Sequence, residues 1–117
     1  MIYISNPSEL RKIINSNNIV LVAFVKEDNE SQSISYAIRF FERIREPYMV
    51  VAIANIAKHP EIAEEFNINV SPTVRLYING KAVFEQQGGM SSYNKDVYAL
   101  KEGIKAVLRA KGIRFLV

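Results

Sequence analysis

Val70-Ser71-Pro72-Thr73-Val74-Arg75-Leu76-Tyr77-Ile78-Asn79-Gly80-Lys81-Ala82-Val83-Phe84-Glu85 decides the architecture of this chain. Val74, Leu76 and Ile78 alternate with Thr73, Arg75 and Tyr77, the two-residue period of a strand with two distinct faces. Asn79-Gly80 then turns the chain, because both residue types accept the positive φ that a tight hairpin turn requires. Lys81 to Glu85 reads as the returning strand, and Gly88-Gly89 breaks it. A prolyl loop leading straight into a hairpin is therefore the anchor for the rest.

Working towards the N-terminus, His59-Pro60-Glu61 opens a short helix that runs through Phe66. Met49-Val-Val-Ala-Ile-Ala before it is a buried strand. Upstream, Ile34, Ala37, Ile38, Phe41 and Ile44 recur at helical spacing, and Pro47 ends that helix. The polar stretch Lys26 to Ser33 leads into it. Ile19-Val-Leu-Val-Ala-Phe-Val is continuously apolar and β-branched, as a central strand covered on both faces must be. Asn6-Pro7-Ser8-Glu9 follows the helix-start pattern of an N-cap side chain, Pro at the first helical position and a Glu that reaches back. Leu10, Ile13 and Ile14 give that first helix its apolar face, and Ile2-Tyr-Ile precedes it as a short strand. Beyond the hairpin, Ser91 or Ser92 caps a last helix whose Val97, Leu100, Ile104, Val107 and Leu108 form one stripe. The order is βαβαβαββα, an α/β arrangement with a mixed central sheet flanked by helices.

The 117 residues predict one domain spanning 1–117. Its composition is ordinarily globular, 49% hydrophobic and 23% charged, which argues against disorder. The longest apolar run, Ile19 to Val25, is far shorter than the ~20 residues a membrane span needs. Met1-Ile-Tyr-Ile-Ser lacks the basic start and long apolar stretch of a signal peptide, so a soluble cytoplasmic protein is expected. Isoleucine outnumbers leucine, and the charged residues are mainly Lys, Arg and Glu, a composition compatible with a thermophilic source. There is no cysteine. That excludes disulfides, thiolate nucleophiles and thiol redox cycling. With a single histidine and no acidic cluster in the sequence, neither a metal site nor a cofactor is expected.

The chain resembles the thioredoxin superfamily along nearly its whole length. Val22-Ala23-Phe24 is similar to the family's central Val-Asp-Phe strand. Asn55-Ile56-Ala-Lys-His-Pro60 and Phe66-Asn-Ile68 resemble its third strand, short helix and following loop. Val70-Ser71-Pro72-Thr73 resembles its Ile-Pro-Thr segment, in which the proline is cis, and Asn79-Gly80 and Gly88 keep the hairpin spacing. Counted forward from Phe24, Asn29 to Gln32 fall where the family has Cys-X-X-Cys. Counted back from Phe40-Phe41 and Tyr48, Ser31-Gln32-Ser33-Ile34 falls there instead. The second register keeps the helix face in phase and adds only two loop residues. It puts Ser31 in place of the attacking cysteine and Ile34 in place of the resolving one. Ala23 replaces the family's buried aspartate, and Val25 stands where a tryptophan is usual. The resemblance thus implies a redox-inactive member.

Ser31 as a nucleophile would need a positioned base, and His59 is the only imidazole, so Ser31 reads as a helix N-cap. His59, before a proline, reads as part of a solvated turn. Relatives pair an extended peptide with the backbone of the residue before the proline, a form of β-augmentation. The resemblance therefore implies non-covalent protein or peptide binding at the edge formed by Ser31, Gln32, Ile34, Ser71, Pro72 and Gly88. Lys101, Lys105 and Arg109, with Lys95, Lys111 and Arg114 nearby, read as a solvated helix face that complements the helix dipole rather than as a nucleic-acid stripe. The tail Gly112 to Val117 extends past the compact fold. Alternation of Ile113, Phe115 and Val117 suits an added strand, against the chain's own sheet or a second copy. The alternative function is accordingly a homodimeric assembly protein using that tail and the basic helix. A cysteine-free enzyme at the same edge is the third reading.

Overall fold

The computed structural model describes residues 1–115. Its centre is β2 (Ile19–Val25), every residue of which is buried. Parallel β3 (Val50–Asn55) lies on one side of it, and antiparallel β4 (Thr73–Ile78) on the other. β1 (Ile2–Ile4) and β5 (Lys81–Gln87) form the two edges, giving the order β1-β3-β2-β4-β5. Because side chains alternate along a strand, β2 feeds two separate cores. Leu21, Ala23 and Val25 face one core, with Ile34, Phe41, Leu100 and Leu108. Val20, Val22 and Phe24 face the other, with Leu10, Ile14 and Ile62. So α2 (Asn29–Ile38) and α4 (Tyr93–Ala110) cover one face, while α1 (Pro7–Ser16) and α3 (Pro60–Glu65) cover the opposite one. The mixed sheet and the βαβαβαββα order read from the sequence are both present.

Local chemistry explains most boundaries. Asn6 accepts the Glu9 N–H, and the Glu9 carboxylate takes the Ser5 N–H at 2.7 Å, closing the start of α1. Asn79 and Gly80 both have positive φ, so the hairpin turn has the form its Asn-Gly sequence demands. The β4–β5 register shifts between Leu76 and Tyr77, whose partners are Phe84 and Ala82. Arg75 reaches from β4 to the Phe66 carbonyl at 2.9 Å and to the Glu85 carboxylate, fixing the chain just before the Val70–Pro72 loop. That hydrogen bond holds the Glu85 carboxyl below its usual range, whereas burial pushes the Tyr77 hydroxyl up.

Three expectations are corrected. The second helix begins at Asn29, because the Asp28 side chain accepts the Ser31 N–H and caps it there. It does not run to Pro47: beyond Ile38 the chain tightens into a 3₁₀ turn, Arg39–Arg43, which still buries Phe41. Of the two serines expected as possible caps of α4, Ser92 is the one that caps it. The third correction concerns the tail. Gly112 has φ +73, its N–H bonds the Arg109 carbonyl, and the Ile113 N–H bonds the Leu108 carbonyl at 2.8 Å. This is a Schellman closure, which reverses the chain at the helix end. Residues 113–115 therefore form no strand; Ile113 packs against the α2/α4 core, and Phe115 is buried in it. Val117, the remaining residue of the tail pattern, lies outside the described residues.

Gly112→Ala places a side chain at positive φ without meeting any neighbour within 4 Å, so only backbone strain changes. Chemical denaturation should show a loss of about 1 kcal/mol. An unchanged midpoint would mean that the closure does not organise the tail.

Candidate functional site

α2 begins where β2 ends, and its first turn faces the loop before β4. Ser31 occupies the third turn position rather than the cap, and it is fully buried. Its hydroxyl accepts the Lys26 N–H at 3.0 Å and lies 3.3 Å from the Ser71 hydroxyl. Ser31 is thus fixed by four groups: Asp28 on its amide, Ser35 on its carbonyl, and Lys26 and Ser71 on its hydroxyl. His59 is not among them; it precedes α3 and lies 3.8 Å from the Glu61 carboxylate. No base is arranged to activate Ser31.

Ser71–Pro72 is a cis peptide, and so is Glu46–Pro47. The Pro72 carbonyl accepts the Gly88 N–H at 2.7 Å, which joins the prolyl loop to the end of β5. Next to that bond, Gly89 packs so closely on Ile34 that a Cβ would come 2.9 Å from its Cγ1. The Gly89 N–H donates to the Glu30 carboxylate at 2.7 Å. Asp96, fully buried at the start of α4, accepts both the Met90 N–H and the Ser33 hydroxyl at 2.8 Å. Glu30, Gly89 and Asp96 close the edge, and none of them stands out in the sequence. Their signal is spatial: acids from two helices converge on one glycine-rich loop.

Of the six residues expected at this edge, five meet there: Ser31 and Ile34 from α2, Ser71 and Pro72 from the loop, and Gly88 from the end of β5. Ser31, Ile34 and Pro72 are buried; Ser71 and Gly88 are half-buried. Gln32 points elsewhere, donating to the Tyr36 hydroxyl at 3.2 Å on the other flank of α2. The exposed apolar side chains are ones the sequence reading missed: Val70 (40% exposed), Met90 (54%) and Tyr93 (48%). They sit on the two loops tied by the Pro72–Gly88 bond and on the first residue of α4.

Solved thioredoxins superpose on this arrangement. The Plasmodium falciparum protein matches with a TM-score of 0.76 at 24% identity, over 91% of this chain and 98% of its own. Mitochondrial thioredoxin 3 from Saccharomyces cerevisiae matches with a TM-score of 0.74 at 20% identity, over 91% and 94%. The fold is thioredoxin-like. In sequence the chain is similar to protein disulfide isomerase-like 2-3 of Oryza sativa subsp. japonica, 28% identical over 106 residues, which are 89% of this chain and 24% of that protein. Protein disulfide-isomerase like 2-2 of Arabidopsis thaliana is 26% identical over 105 residues. The chain spans about a quarter of the length of the curated relatives it matches. No family model matches.

On the thioredoxin-like scaffold, the sequence without cysteine cannot perform disulfide exchange. Among the described residues no three His, Asp or Glu side chains are grouped to hold a metal ion, and no helix is long and apolar enough to cross a membrane. The first turn of α2, which begins at Asn29, supplies the carboxylate on Gly89 through Glu30.

Asp96→Ala removes the acceptor of two hydrogen bonds in a fully buried position and should cost about 2 to 3 kcal/mol, measured by denaturant unfolding. Loss of amide protection at Met90 should accompany it. The cap is testable by pH. The Ser31 N–H, through its backbone hydrogen bond, holds the Asp28 carboxyl below its usual range, so the ionised cap stabilises α2 above the unfolded value of about 3.9. That contribution is lost as pH falls through the lower folded value. Asp28→Ala should therefore lower the melting temperature at pH 7, with the difference from wild type shrinking towards pH 2.5. A constant difference would refute the cap.

Proposed function

We propose that this thioredoxin-like chain acts by non-covalent binding of an extended peptide or protein segment along the Ser71–Pro72 edge. The observation that carries this reading is the main chain of Ser71. Neither its N–H nor its C=O has a protein partner among the described residues, although both of its neighbours are engaged: the Val70 carbonyl by Thr73 and the Pro72 carbonyl by Gly88. A strand laid beside Ser71 would satisfy both groups, which is how β-augmentation gains affinity. Val70, Met90 and Tyr93 flank that position with exposed apolar surface to select side chains.

The site so proposed differs from the one expected from sequence. Ser31, Ile34 and Pro72 are its floor, not its contact surface, because the chain's own groups fill the interior. Contact passes to Val70, Ser71, Met90 and Tyr93. The assembly alternative gains no support through Phe115, which packs inside its own chain.

A random peptide library displayed on phage and selected on the wild-type protein should yield binders. A Val70→Glu/Met90→Glu variant, changed only at exposed positions, should bind them at least about tenfold more weakly. Amide shifts on binding should centre on Ser71. Failure to select any peptide, or selected peptides that bind the variant unchanged, would overturn the reading.

A further inference from the structure

On the opposite flank of α2 lies a crevice of about 630 Å³ that the peptide reading does not use. Its position follows from the topology. β2 leads into α2 on one face of the sheet, whereas its neighbour β3 leads into α3 on the other face. The two connections part at Val25 and Asn55 and leave a cleft beyond the carboxyl ends of the strands, the place where open α/β sheets bind ligands.

The floor is apolar, formed by Ile4, Val25 and Ile53, all buried. Tyr3 on β1 and Tyr36 on α2 stand at its rim, 63% and 51% exposed. Arg39 connects them: its guanidinium carbon lies 6.0 Å from the Tyr36 ring centroid, and its Nη2 donates to the Tyr3 hydroxyl at 3.1 Å. Gln32 extends this rim through its bond to the Tyr36 hydroxyl. The charge balance in the crevice is uneven. Lys26, Arg39 and Lys58 face Glu27 and Asp28 there: Glu27 is engaged by Asn55 at 3.2 Å and by Lys58 at 3.8 Å, and the charged Asp28, which accepts the Ser31 amide, also attracts Lys26. The crevice is left with one cation in excess, and Arg39 forms no salt bridge with a carboxylate among the described residues.

From this arrangement we infer that the crevice binds a small aromatic anion of mononucleotide size. Its ring packs on the apolar floor below the Tyr3–Arg39–Tyr36 rim, and its anionic group is taken by Arg39, with Lys26 adding positive charge at the mouth. An arginine already stacked on an aromatic ring presents its donors in a fixed plane, which suits a phosphate or carboxylate. A neutral ligand would leave these cations unused, and a bare anion would leave the aromatic walls and the floor unused. The volume lies within the range of pre-formed small-molecule sites.

The probes are adenosine 5′-monophosphate, adenosine and ribose 5-phosphate, titrated calorimetrically and by amide chemical shifts against the full chain. The monophosphate should bind saturably and more tightly than either fragment, with shifts at Ile4, Val25, Arg39 and Asn55. Arg39→Glu and Tyr36→Ala, both at exposed positions, should each weaken it by about tenfold. Met90→Glu, at an exposed position away from the crevice, should leave it unchanged, which separates this site from the peptide edge. Absence of saturable binding, equal affinity for ribose 5-phosphate, equal affinity for adenosine, or binding indifferent to both Arg39→Glu and Tyr36→Ala would overturn the inference.

Discussion

The constraint on which this structure depends is the burial of β2 on both faces. A strand of seven consecutive buried residues cannot lie at an edge or on a one-layer sheet. It requires hydrogen-bonded neighbours on both sides and a helical layer above and below. β3 and β4 supply the first, and the helix pairs α2/α4 and α1/α3 supply the second. The connection out of β2 must then climb onto one layer while that out of β3 drops onto the other. The crevice beside Tyr36 lies at that divergence, and the Ser71 edge lies on the opposite flank of α2, before β4.

α2 separates them. Its first turn is held by Asp28 from below and by Ser71 and Lys26 from the side, so Ser31 is locked between the strand end and the prolyl loop. From that fixed point the helical period assigns neighbouring residues to different surroundings. Glu30 and Ile34 turn towards Gly89, whereas Gln32, Tyr36 and Arg39 turn towards β1. The first turn of α2 therefore closes one flank only, through Glu30 on Gly89, and leaves the crevice on the other flank open.

What could be read from the sequence depended on how local the determining interactions are. The hairpin, the α1 cap and the α4 stripe are set within a few residues, through Asn79-Gly80, Asn6-Pro7-Ser8-Glu9 and the Leu100/Ile104/Leu108 spacing, and all three stand as read. The start of α2 was legible in principle, since Asp28 is a good N-cap residue, but the resemblance drew attention to Ser31, three positions on. The tail misled for a different reason: Ile113, Phe115 and Val117 alternate as a strand would, yet Gly112 ends the helix in a reversal that outweighs a two-residue period. At the candidate edge, Ser71, Pro72 and Gly88 are named by the resemblance, whose prolyl and hairpin motifs they match. Glu30, Asp96, Val70 and Met90 are not, because their roles arise from contacts across as many as 63 positions of sequence.

The side chains around the edge share one physical character. Redox chemistry needs a group that is exposed enough to be attacked and able to change charge. Here Ser31 is buried with its hydroxyl occupied, Ile34 packs against glycine, and Ala23 sits in an apolar core where a carboxylate would be desolvated. Each is held by satisfied hydrogen bonds or van der Waals contact. Glu30 and Asp96 go further, holding the Gly89 and Met90 amides in a fixed position. The Ser71 peptide group lies between these two sets of restraints without a partner among the described residues. A rigid frame around one open backbone donor and acceptor suits a surface that recognises an extended chain, because little conformational entropy remains to be lost when that chain docks.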